Sequence, residues 1–455
     1  MKFIKELFDK KEISILILIL PYFGFNYETI VHSPFFSYTQ LISIFACLLF
    51  IDVFIKWILS KLNGKSKTII SLIVIFTTLV FFYGLYITNY TQKLMQDYFG
   101  LPIRGRTIIV AVVLLFVIIL FLQRRKKINF LYLNVFMLIF CVLAIVTSIV
   151  NIKEHSIIDY QSKYTHIPRI NTAIKPVILL ISDEYSSPDG LYKVYKDSSI
   201  YDFSNKLVNK GWVARNSFYS YEISTIYSLS SLFNFNLSIN RNYNKQSMET
   251  VGESKIMHAG IAASLEKKNV NIINFGIVHI GKHSFLNRLY YYPTSFIENI
   301  MMNTIHYTIK SNTDNFNLNA LGSTYYPMEV HNKYILNNLS DTINKNNKTK
   351  TFIYAHLFMP HAPMQFKPEF PLRTENTLID YMDYWKFSNL KLEALLTELT
   401  KENKYRIILS GDHGFRGDKR INPYYTFTAF YGFDQSSIDS IKSVQDLGSL
   451  INSCF

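Results

Sequence analysis

Five long apolar runs occupy the first third of the 455-residue chain and predict membrane-spanning helices. Several approach the roughly 20 residues that an α-helix needs to cross the hydrocarbon core of a bilayer. Pro21 interrupts the first run and four lysines precede it, as in a signal peptide, but no small-residue cleavage site follows, so we expect an uncleaved helix. The predicted spans are residues 13–31, 39–55, 68–88, 107–122 and 129–151.

Lysine and arginine are unevenly distributed among the connections between these runs. Four precede the first span, none lies in 26–38, four lie in 56–67, three in 89–106 and four in 123–128. By the positive-inside rule, this distribution predicts a cytoplasmic N-terminus. Five crossings then place everything after about residue 151 on the opposite side, facing the periplasm or the outer leaflet.

The rest of the chain alternates apolar strands with helical patterns. The first strand, residues 177–181, is a continuous apolar run of the kind that a parallel sheet buries on both faces. Because strands and helices alternate, we predict an α/β domain with a mostly parallel, doubly wound sheet and helices on both faces. Comparable apolar runs occur at 271–278, 351–358, 404–409 and 425–431, and helical patterns occur at 201–210, 257–268 and 379–401.

These patterns divide the chain into a transmembrane domain of about five helices (1–151), a linker (152–174) and an exported domain (175–455). The exported part is long enough for one sizeable hydrophobic core. That core must stabilise the domain without an internal disulfide. Of the three cysteines, Cys47 and Cys141 lie in predicted spans, and only Cys454 lies in the exported part.

The chain carries a formal net charge of +14 at pH 7. Such a balance is typical of proteins that bind nucleic acids or anionic surfaces. Here many of the basic residues lie in connections that we predict to be cytoplasmic, so topology accounts for part of the charge. We therefore predict no nucleic-acid partner.

Acidic side chains directly follow two of the predicted strands. Asp183 and Glu184 follow the first strand, and the apolar residues 407–409 lead into Asp412-His413-Gly414. Ligands of open α/β sheets gather at the carboxyl ends of the strands, so carboxylates and an imidazole placed there predict a metal site. Each segment also has a structural reading, in which the acids cap the next element or the Asp-His pair turns a corner.

A cluster of hydroxyl side chains opens a helix-like run at residues 224–232, with the sequence STIYSLSSL. Thr225 could simply be the N-cap of that helix. The functional alternative is a nucleophile, because the positive end of the helix dipole and a nearby metal ion would both favour an alkoxide and the anion that it attacks.

Two histidines bracket the end of a further strand. His356 lies within the run at 351–358, and His361 follows in a Pro-His-Ala-Pro segment. We expect His361 to face the cleft as a phosphate ligand or proton donor. His356 reads equally well as a substrate contact, as support for the ligands or as a structural residue.

In this order, the four motifs resemble those of the alkaline phosphatase and sulfatase superfamily. The resemblance covers residues 175–445 and is greatest to the membrane-anchored branch, which includes lipoteichoic acid synthases, phosphoethanolamine transferases and phosphoglycerol transferases. It implies one divalent metal ion, Zn²⁺ or Mn²⁺. The implied metal ligands are Glu184 or Asp183, with Thr225, Asp412 and His413.

The same resemblance implies roles in catalysis and substrate binding. Thr225 matches the nucleophile of the family, and His361 matches the histidine that contacts the transferred phosphate group. His361 and Arg416 would bind its non-bridging oxygens, with His356 as a further candidate.

Three departures from the family pattern refine the expectation. Neither Thr225 nor Ser228 begins the Cys/Ser-x-Pro-x-Arg pattern that matures to formylglycine, so sulfate-ester hydrolysis is disfavoured. His413 is the last histidine of the chain, whereas two-metal relatives use a further one near the C-terminus, which favours a single metal. Gly411 precedes Asp412 where relatives often have serine.

The resemblance implies transfer of phosphoglycerol or phosphoethanolamine from a membrane phospholipid to an envelope glycan or lipid, through a covalent intermediate on Thr225. We expect the protein in the bacterial cytoplasmic membrane, with its catalytic domain periplasmic or extracellular. An anchored phosphatase or phosphodiesterase would use the same residues with water as the acceptor. A non-catalytic assembly scaffold would explain the spans but not the metal donors.

Overall fold

The computed structural model separates the chain into two compact units. One contains Met1–Ile157 and Pro293–Thr313, and the other contains Ile158–Tyr292 and Asp314–Phe455. The structure describes residues 15–26, 36–99, 175–236, 255–283, 296–301, 327–345, 350–362 and 377–455, and the single residues 30, 139, 252 and 304.

The described part of the first unit is helical. It contains α1 (Ile15–Phe25), α2 (Tyr38–Ser60) and α3 (Gly64–Phe99). Within the described residues, two helical segments are long and apolar enough to cross a membrane, Tyr38–Ser60 and Ser66–Tyr83. Only 6% and 11% of their apolar windows are buried, unlike the core helix of a soluble protein.

The described helices cover the first three predicted spans, the first of them in part. Within the first, residues 13–31, the structure describes α1, which contains Pro21. The helix α3 extends past the third predicted span, 68–88, into the connection at 89–106 as far as Phe99. The predicted spans at 107–122 and 129–151 and the linker at 152–174 lie outside the described residues, apart from residue 139.

A six-stranded sheet forms the centre of the second unit, in the order β2-β6-β5-β1-β4-β3. The strands β3, β4, β1 and β5 are parallel neighbours, whereas β6 is antiparallel to both β5 and β2. The sheet is therefore mixed: three of its five strand pairings are parallel, in line with the predicted mostly parallel sheet, and the two pairings of β6 are antiparallel. The strands are β1 (Val177–Ser182), β2 (Val213–Tyr219), β3 (Asn271–Phe275), β4 (Thr351–Leu357), β5 (Arg406–Gly411) and β6 (Tyr425–Tyr431).

Helices cover both faces of the sheet, as the doubly wound pattern predicts. Alternate residues of β1 enter different cores: Val177, Leu179 and Ile181 pack on one side, and Ile178 and Leu180 on the other. The remaining helices are α4 (Pro188–Tyr195), α5 (Asp202–Asn209), α6 (Thr225–Phe233), α7 (Gly260–Lys267), α8 (Phe296–Met301, first unit), α9 (Pro327–Lys345), α10 (Leu378–Thr400), α11 (Gln435–Asp439) and α12 (Leu447–Ser453).

The register of the central strands determines which loops meet. Ser182 at the end of β1 pairs with Gly411 at the end of β5 and with Leu357 at the end of β4. Asp183 and Asp412 each follow one of these paired residues. Both acids therefore emerge side by side at the carboxyl edge of the sheet.

Candidate metal centre

Three buried side chains from the ends of β1 and β5 form a compact donor group. Asp183, Asp412 and His413 each offer one ligand atom, and these atoms lie within 4.8 Å of one another. His413 Nε2 is 3.4 Å from Asp412 Oδ2 and 3.9 Å from Asp183 Oδ1. Among the described residues, this is the one group of histidine, cysteine or acidic side chains with metal-site spacing.

The hydroxyl of Thr225 completes the group from the other side. Thr225 Oγ1 donates a hydrogen bond to Asp183 Oδ1 at 3.2 Å and lies 3.5 Å from His413 Nε2. Thr225 is the first residue of α6, whereas Ser224 is the N-cap and makes no side-chain capping bond. The cap reading of Thr225 is therefore wrong, and its hydroxyl faces the acids at the positive end of the helix.

The donor set fits a divalent metal ion. Zinc binds oxygen and imidazole nitrogen at about 2.0–2.2 Å, so neighbouring ligands on a tetrahedral ion lie about 3.3–3.5 Å apart. Four of the donor separations lie between 3.2 and 3.9 Å. Asp412 Oδ2 is also buried without a hydrogen-bond partner among the described residues, as expected of an atom that binds a cation.

Hydrogen bonds orient both donors of the Asp-His pair. His413 Nδ1 lies 2.9 Å from the carbonyl of Gly414 and donates to it, so its Nε2 keeps a lone pair towards Thr225. The backbone N–H of Glu184 donates to Asp412 Oδ1 at 3.0 Å, and the hydroxyls of Ser220 and Ser228 donate to the Asp412 carbonyl.

Glu184 points to a different cluster from Asp183. Its Oε1 accepts hydrogen bonds from the backbone N–H and the Nε of Arg416, both at 3.0 Å. Its Oε2 lies 3.8 Å from His361 Nε2, which is 3.2 Å from a terminal nitrogen of Arg416. The structure thus places Asp183 in the donor group, and it places Glu184 beneath a basic pair formed by His361 and Arg416.

His356 lies on the opposite side of Asp183 from Thr225. Its imidazole is fully buried, and its Nε2 is 3.5 Å from Asp183 Oδ2. A fully buried ring cannot meet a substrate directly, so the structure separates His356 from the partly exposed His361 and Arg416.

Burial and charge act in opposite directions on the two acids. Burial opposes the ionisation of Asp183, but His361, His356 and His413 lower its pKa far below the usual range. Burial and the nearby charge of Asp183 raise the pKa of Asp412, against the opposing effect of His413. A bound divalent cation would favour the ionised form of both carboxylates.

The basic pair suits an anionic ligand. Burial disfavours a charge on His361, but Asp183 and Glu184 outweigh burial and raise the pKa of the imidazole. Arg416 stays partly exposed, so the pair can present donors to phosphate oxygens next to the donor group.

The backbone explains why glycine precedes Asp412. A Cβ at Gly411 would lie 2.0 Å from Thr426 Oγ1 and 2.9 Å from the Tyr185 carbonyl. Thr426 itself donates to that carbonyl at 2.5 Å, so neither atom can move away freely. A serine at this position would not fit this chain.

Buried His331 makes the fold sensitive to acid. Its Nε2 donates to the His356 carbonyl at 2.9 Å, and burial lowers its pKa from 6.5 to about 4. The folded state therefore binds fewer protons than the unfolded state between these pH values, and the free energy of unfolding rises with pH across that window.

Replacing His331 with glutamine should remove this sensitivity, because an amide can donate to the same carbonyl without titrating. Between pH 6.5 and about 4, we expect the native protein to lose about 3 kcal/mol more stability than His331→Gln. Denaturant unfolding followed by tryptophan fluorescence measures the difference, since Trp212 and Trp385 are buried in this unit. Parallel pH profiles for the two proteins would contradict the assignment.

Several residues that support the donor group carry no motif of their own, although one of them, Ser228, lies in the predicted hydroxyl cluster. Tyr354 bonds His356, and Ser220 and Ser228 hold the Asp412 carbonyl, with Gln445 donating to both hydroxyls at 3.3 and 3.2 Å. Tyr354 had a detectable signal, because residues i and i+2 of a strand share a face. Ser220 and Gln445 had none, since their contacts depend on loops distant in sequence.

The sulfatase family model matches residues 175–431, which is more than half of the chain. The chain therefore belongs to the sulfatase family, an enzyme family, and this membership confirms the superfamily inferred from the motifs. None of the curated proteins matches the chain by sequence.

Solved structures to which the chain shows similarity include two transferases and one synthase. The integral membrane lipooligosaccharide phosphoethanolamine transferase A from Neisseria meningitidis shares 12% identity over 97% of this chain and 95% of its own, with a TM-score of 0.42. The periplasmic domain of phosphoethanolamine transferase EptC from Campylobacter jejuni shares 13% identity over 61% and 88%, with a TM-score of 0.36. The lipoteichoic acid synthase LtaP from Listeria monocytogenes shares 14% identity over 62% and 70%, also with a TM-score of 0.36.

Proposed function

We propose that the protein transfers a phosphate-containing head group from a membrane phospholipid to an envelope glycan or lipid. The observation that carries the proposal is the position of the Thr225 hydroxyl, at a helix N-terminus and within 3.5 Å of both Asp183 and His413. A threonine cannot mature to formylglycine, so this sulfatase-family site is suited to phosphoryl rather than sulfate-ester chemistry.

Asp183, Asp412, His413 and Thr225 would hold one divalent metal. Four mixed oxygen and nitrogen donors with near-tetrahedral separations favour Zn²⁺ over Mn²⁺, which prefers more oxygen ligands. When bound, the ion would lower the pKa of the threonine hydroxyl and neutralise charge on a phosphodiester.

The residues of the chain supply the remaining chemistry. Thr225 Oγ1 forms a bond to phosphorus as the bond from phosphorus to the diacylglycerol oxygen breaks, the hydroxyl proton passes to water, and the leaving alkoxide takes a proton from His361. His361 and Arg416 hold the non-bridging oxygens. The acceptor hydroxyl then gives its proton to His361 as it attacks phosphorus from the vacated side, and the oxygen of Thr225 leaves and takes a proton from water.

The N-terminal helices would keep this domain at its donor. A site anchored at the bilayer meets phospholipid head groups at high effective concentration. We propose a multi-pass protein of the membrane-anchored branch, with a cytoplasmic N-terminus and residues 175–455 exported. An alkaline phosphatase reporter, which needs disulfides and is active only outside the cytoplasm, should be active when fused after residue 170; an inactive reporter at that position would reverse the topology.

Diacylglycerol release tests the function. Purified full-length protein loaded with Zn²⁺ should release diacylglycerol from vesicles of phosphatidylethanolamine or phosphatidylglycerol. Without an acceptor, release should stop near one equivalent per protein, because the head group stays on Thr225. Continued release with free head-group phosphate would identify a hydrolase, and no release from either lipid would exclude a phospholipid donor.

A further inference from the structure

A buried chain of contacts leads from β4 to Asp183. Tyr354 and His356 point to the same face of the strand, and both are fully buried. The Tyr354 hydroxyl lies 2.9 Å from His356 Nδ1, and His356 Nε2 lies 3.5 Å from Asp183 Oδ2. Both contacts are made between residues of the protein and do not involve a substrate.

The two oxygens of Asp183 have separate partners. Oδ1 accepts the hydrogen bond of Thr225 and faces His413, whereas Oδ2 faces His356. A carboxylate can rotate about its Cβ–Cγ bond, so something must keep Oδ1 on the side of the other donors. His356 is placed to do this if its Nε2 carries a proton.

The surroundings of His356 indicate where that proton lies. Nε2 is buried without a hydrogen-bond partner among the described residues, and Asp183 Oδ2 lies 3.5 Å from it. A carboxylate oxygen only accepts, so Nε2 is the nitrogen that has an acceptor to face. With the proton on Nε2, Nδ1 of the neutral imidazole accepts the hydrogen bond of the Tyr354 hydroxyl at 2.9 Å, so Tyr354 favours this tautomer.

Packing holds the ring of Tyr354 in place independently of its hydroxyl. Phe233 contacts the ring edge to face, with centroids 5.1 Å apart. A Cβ at Gly276 would lie 2.1 Å from Tyr354 Cε1, so the glycine leaves the space that the ring occupies. Removing the hydroxyl should therefore leave the ring where it is.

We propose that Tyr354 is a positioning residue, which fixes the tautomer of His356 so that His356 Nε2–H holds Asp183 with Oδ1 turned into the metal site. The inference rests on the proposed metal site and assigns its supporting hydrogen bonds. It predicts that a hydroxyl two contacts away from the donor group controls metal affinity.

Zinc affinity, measured by competition with a chelating dye on the full-length protein, tests the role without a substrate. Tyr354→Phe should weaken binding about 10-fold or more, the usual effect of losing a supporting hydrogen bond. Tyr384→Phe is the matched control, because Tyr384 is also buried but donates to Glu329 at 3.1 Å. Tyr384→Phe should bind zinc as the native protein does, and thermal unfolding without metal checks that both variants fold.

A substitution at His356 tests whether Tyr354 acts through the chain of contacts from Tyr354 to His356 to Asp183, here called the relay, or only through packing. In His356→Gln, the amide can donate to Asp183 without help from Tyr354, so zinc affinity should be largely kept. Adding Tyr354→Phe to that variant should then cause no further loss, whereas His356→Leu alone should weaken binding as Tyr354→Phe does.

The outcomes distinguish this inference from the proposed function. Native affinity in Tyr354→Phe, or an equal loss on adding Tyr354→Phe to His356→Gln, would overturn the relay while leaving the metal site intact. A native protein that binds no zinc would remove the site and the relay together. Absence of lipid transfer with the predicted zinc affinities would overturn the function alone.

Discussion

Thr225→Ala is expected to abolish diacylglycerol release, with a loss of at least ~10³-fold, because it removes the attacking oxygen. The fold should survive. Thr225 lies inside the first turn of α6, and its hydroxyl donates to Asp183 at 3.2 Å and makes a longer contact of 3.5 Å with His413, so its loss should cost only about 1 kcal/mol of stability. Initial rates in the vesicle assay and thermal unfolding give the two quantities.

Ser224→Ala is the matched control, because Ser224 is adjacent and makes no side-chain capping bond. It should keep nearly native activity. Ser228→Ala should be milder than Thr225→Ala but not silent, since its hydroxyl donates to the Asp412 carbonyl at 2.9 Å. Substantial activity in Thr225→Ala, together with a loss in Ser224→Ala, would assign the nucleophile to Ser224.

Asp183→Asn is expected to weaken zinc binding by about 100-fold or more, because it replaces a charged donor rather than a supporting residue. Glu184→Gln is its neighbour in sequence and should bind zinc normally, since Glu184 contacts Arg416 and His361 instead. Glu184→Gln should raise the KM for phospholipid, because the carboxylate no longer holds the basic pair.

Metal analysis of the purified variants and titration with chelators measure this difference. The reverse pattern, with zinc lost from Glu184→Gln and retained by Asp183→Asn, would make Glu184 the ligand. Equal retention by both variants would mean that neither acid is needed to bind the ion.

Much of the site could be predicted because it follows from strand periodicity and strand ends. Continuous apolar runs identified β1 and β5, and both end next to acids. Parallel strands bring their carboxyl ends to one edge, so Asp183 and Asp412 could be expected to meet. In the structure Ser182 pairs with Gly411, and this register places the two acids side by side.

The choice between Asp183 and Glu184 could not be made from the sequence. Both acids follow the same strand, and the carboxylate of either one could bind a metal ion. The backbone at Glu184 has a φ of 59°, a left-handed conformation, and the two adjacent side chains have different partners. The partner that holds Glu184 is Arg416, which is 232 residues away in the sequence.

The sequence patterns also did not predict two elements that lack an apolar run, β2 and α9. The edge strand β2 contains Arg215, Asn216 and Ser217, and most of its residues are only partly buried, so it lacks the pattern of a central strand. The helix α9 is rich in asparagine and lysine, yet it carries His331 and Asn332, which bond the segment from His356 to Phe358. Tertiary contacts, rather than local preference, account for both elements.

The adduct on the native protein tests the central claim most directly. Full-length protein with Zn²⁺ is incubated with vesicles of phosphatidylethanolamine or phosphatidylglycerol, quenched in acid, digested and mapped by mass spectrometry, with Thr225→Ala in parallel. The account predicts a head-group phosphodiester on Thr225 of the native protein and no adduct on the variant. An adduct on Ser224 or Ser228, or diacylglycerol release without an adduct on any residue, would contradict it.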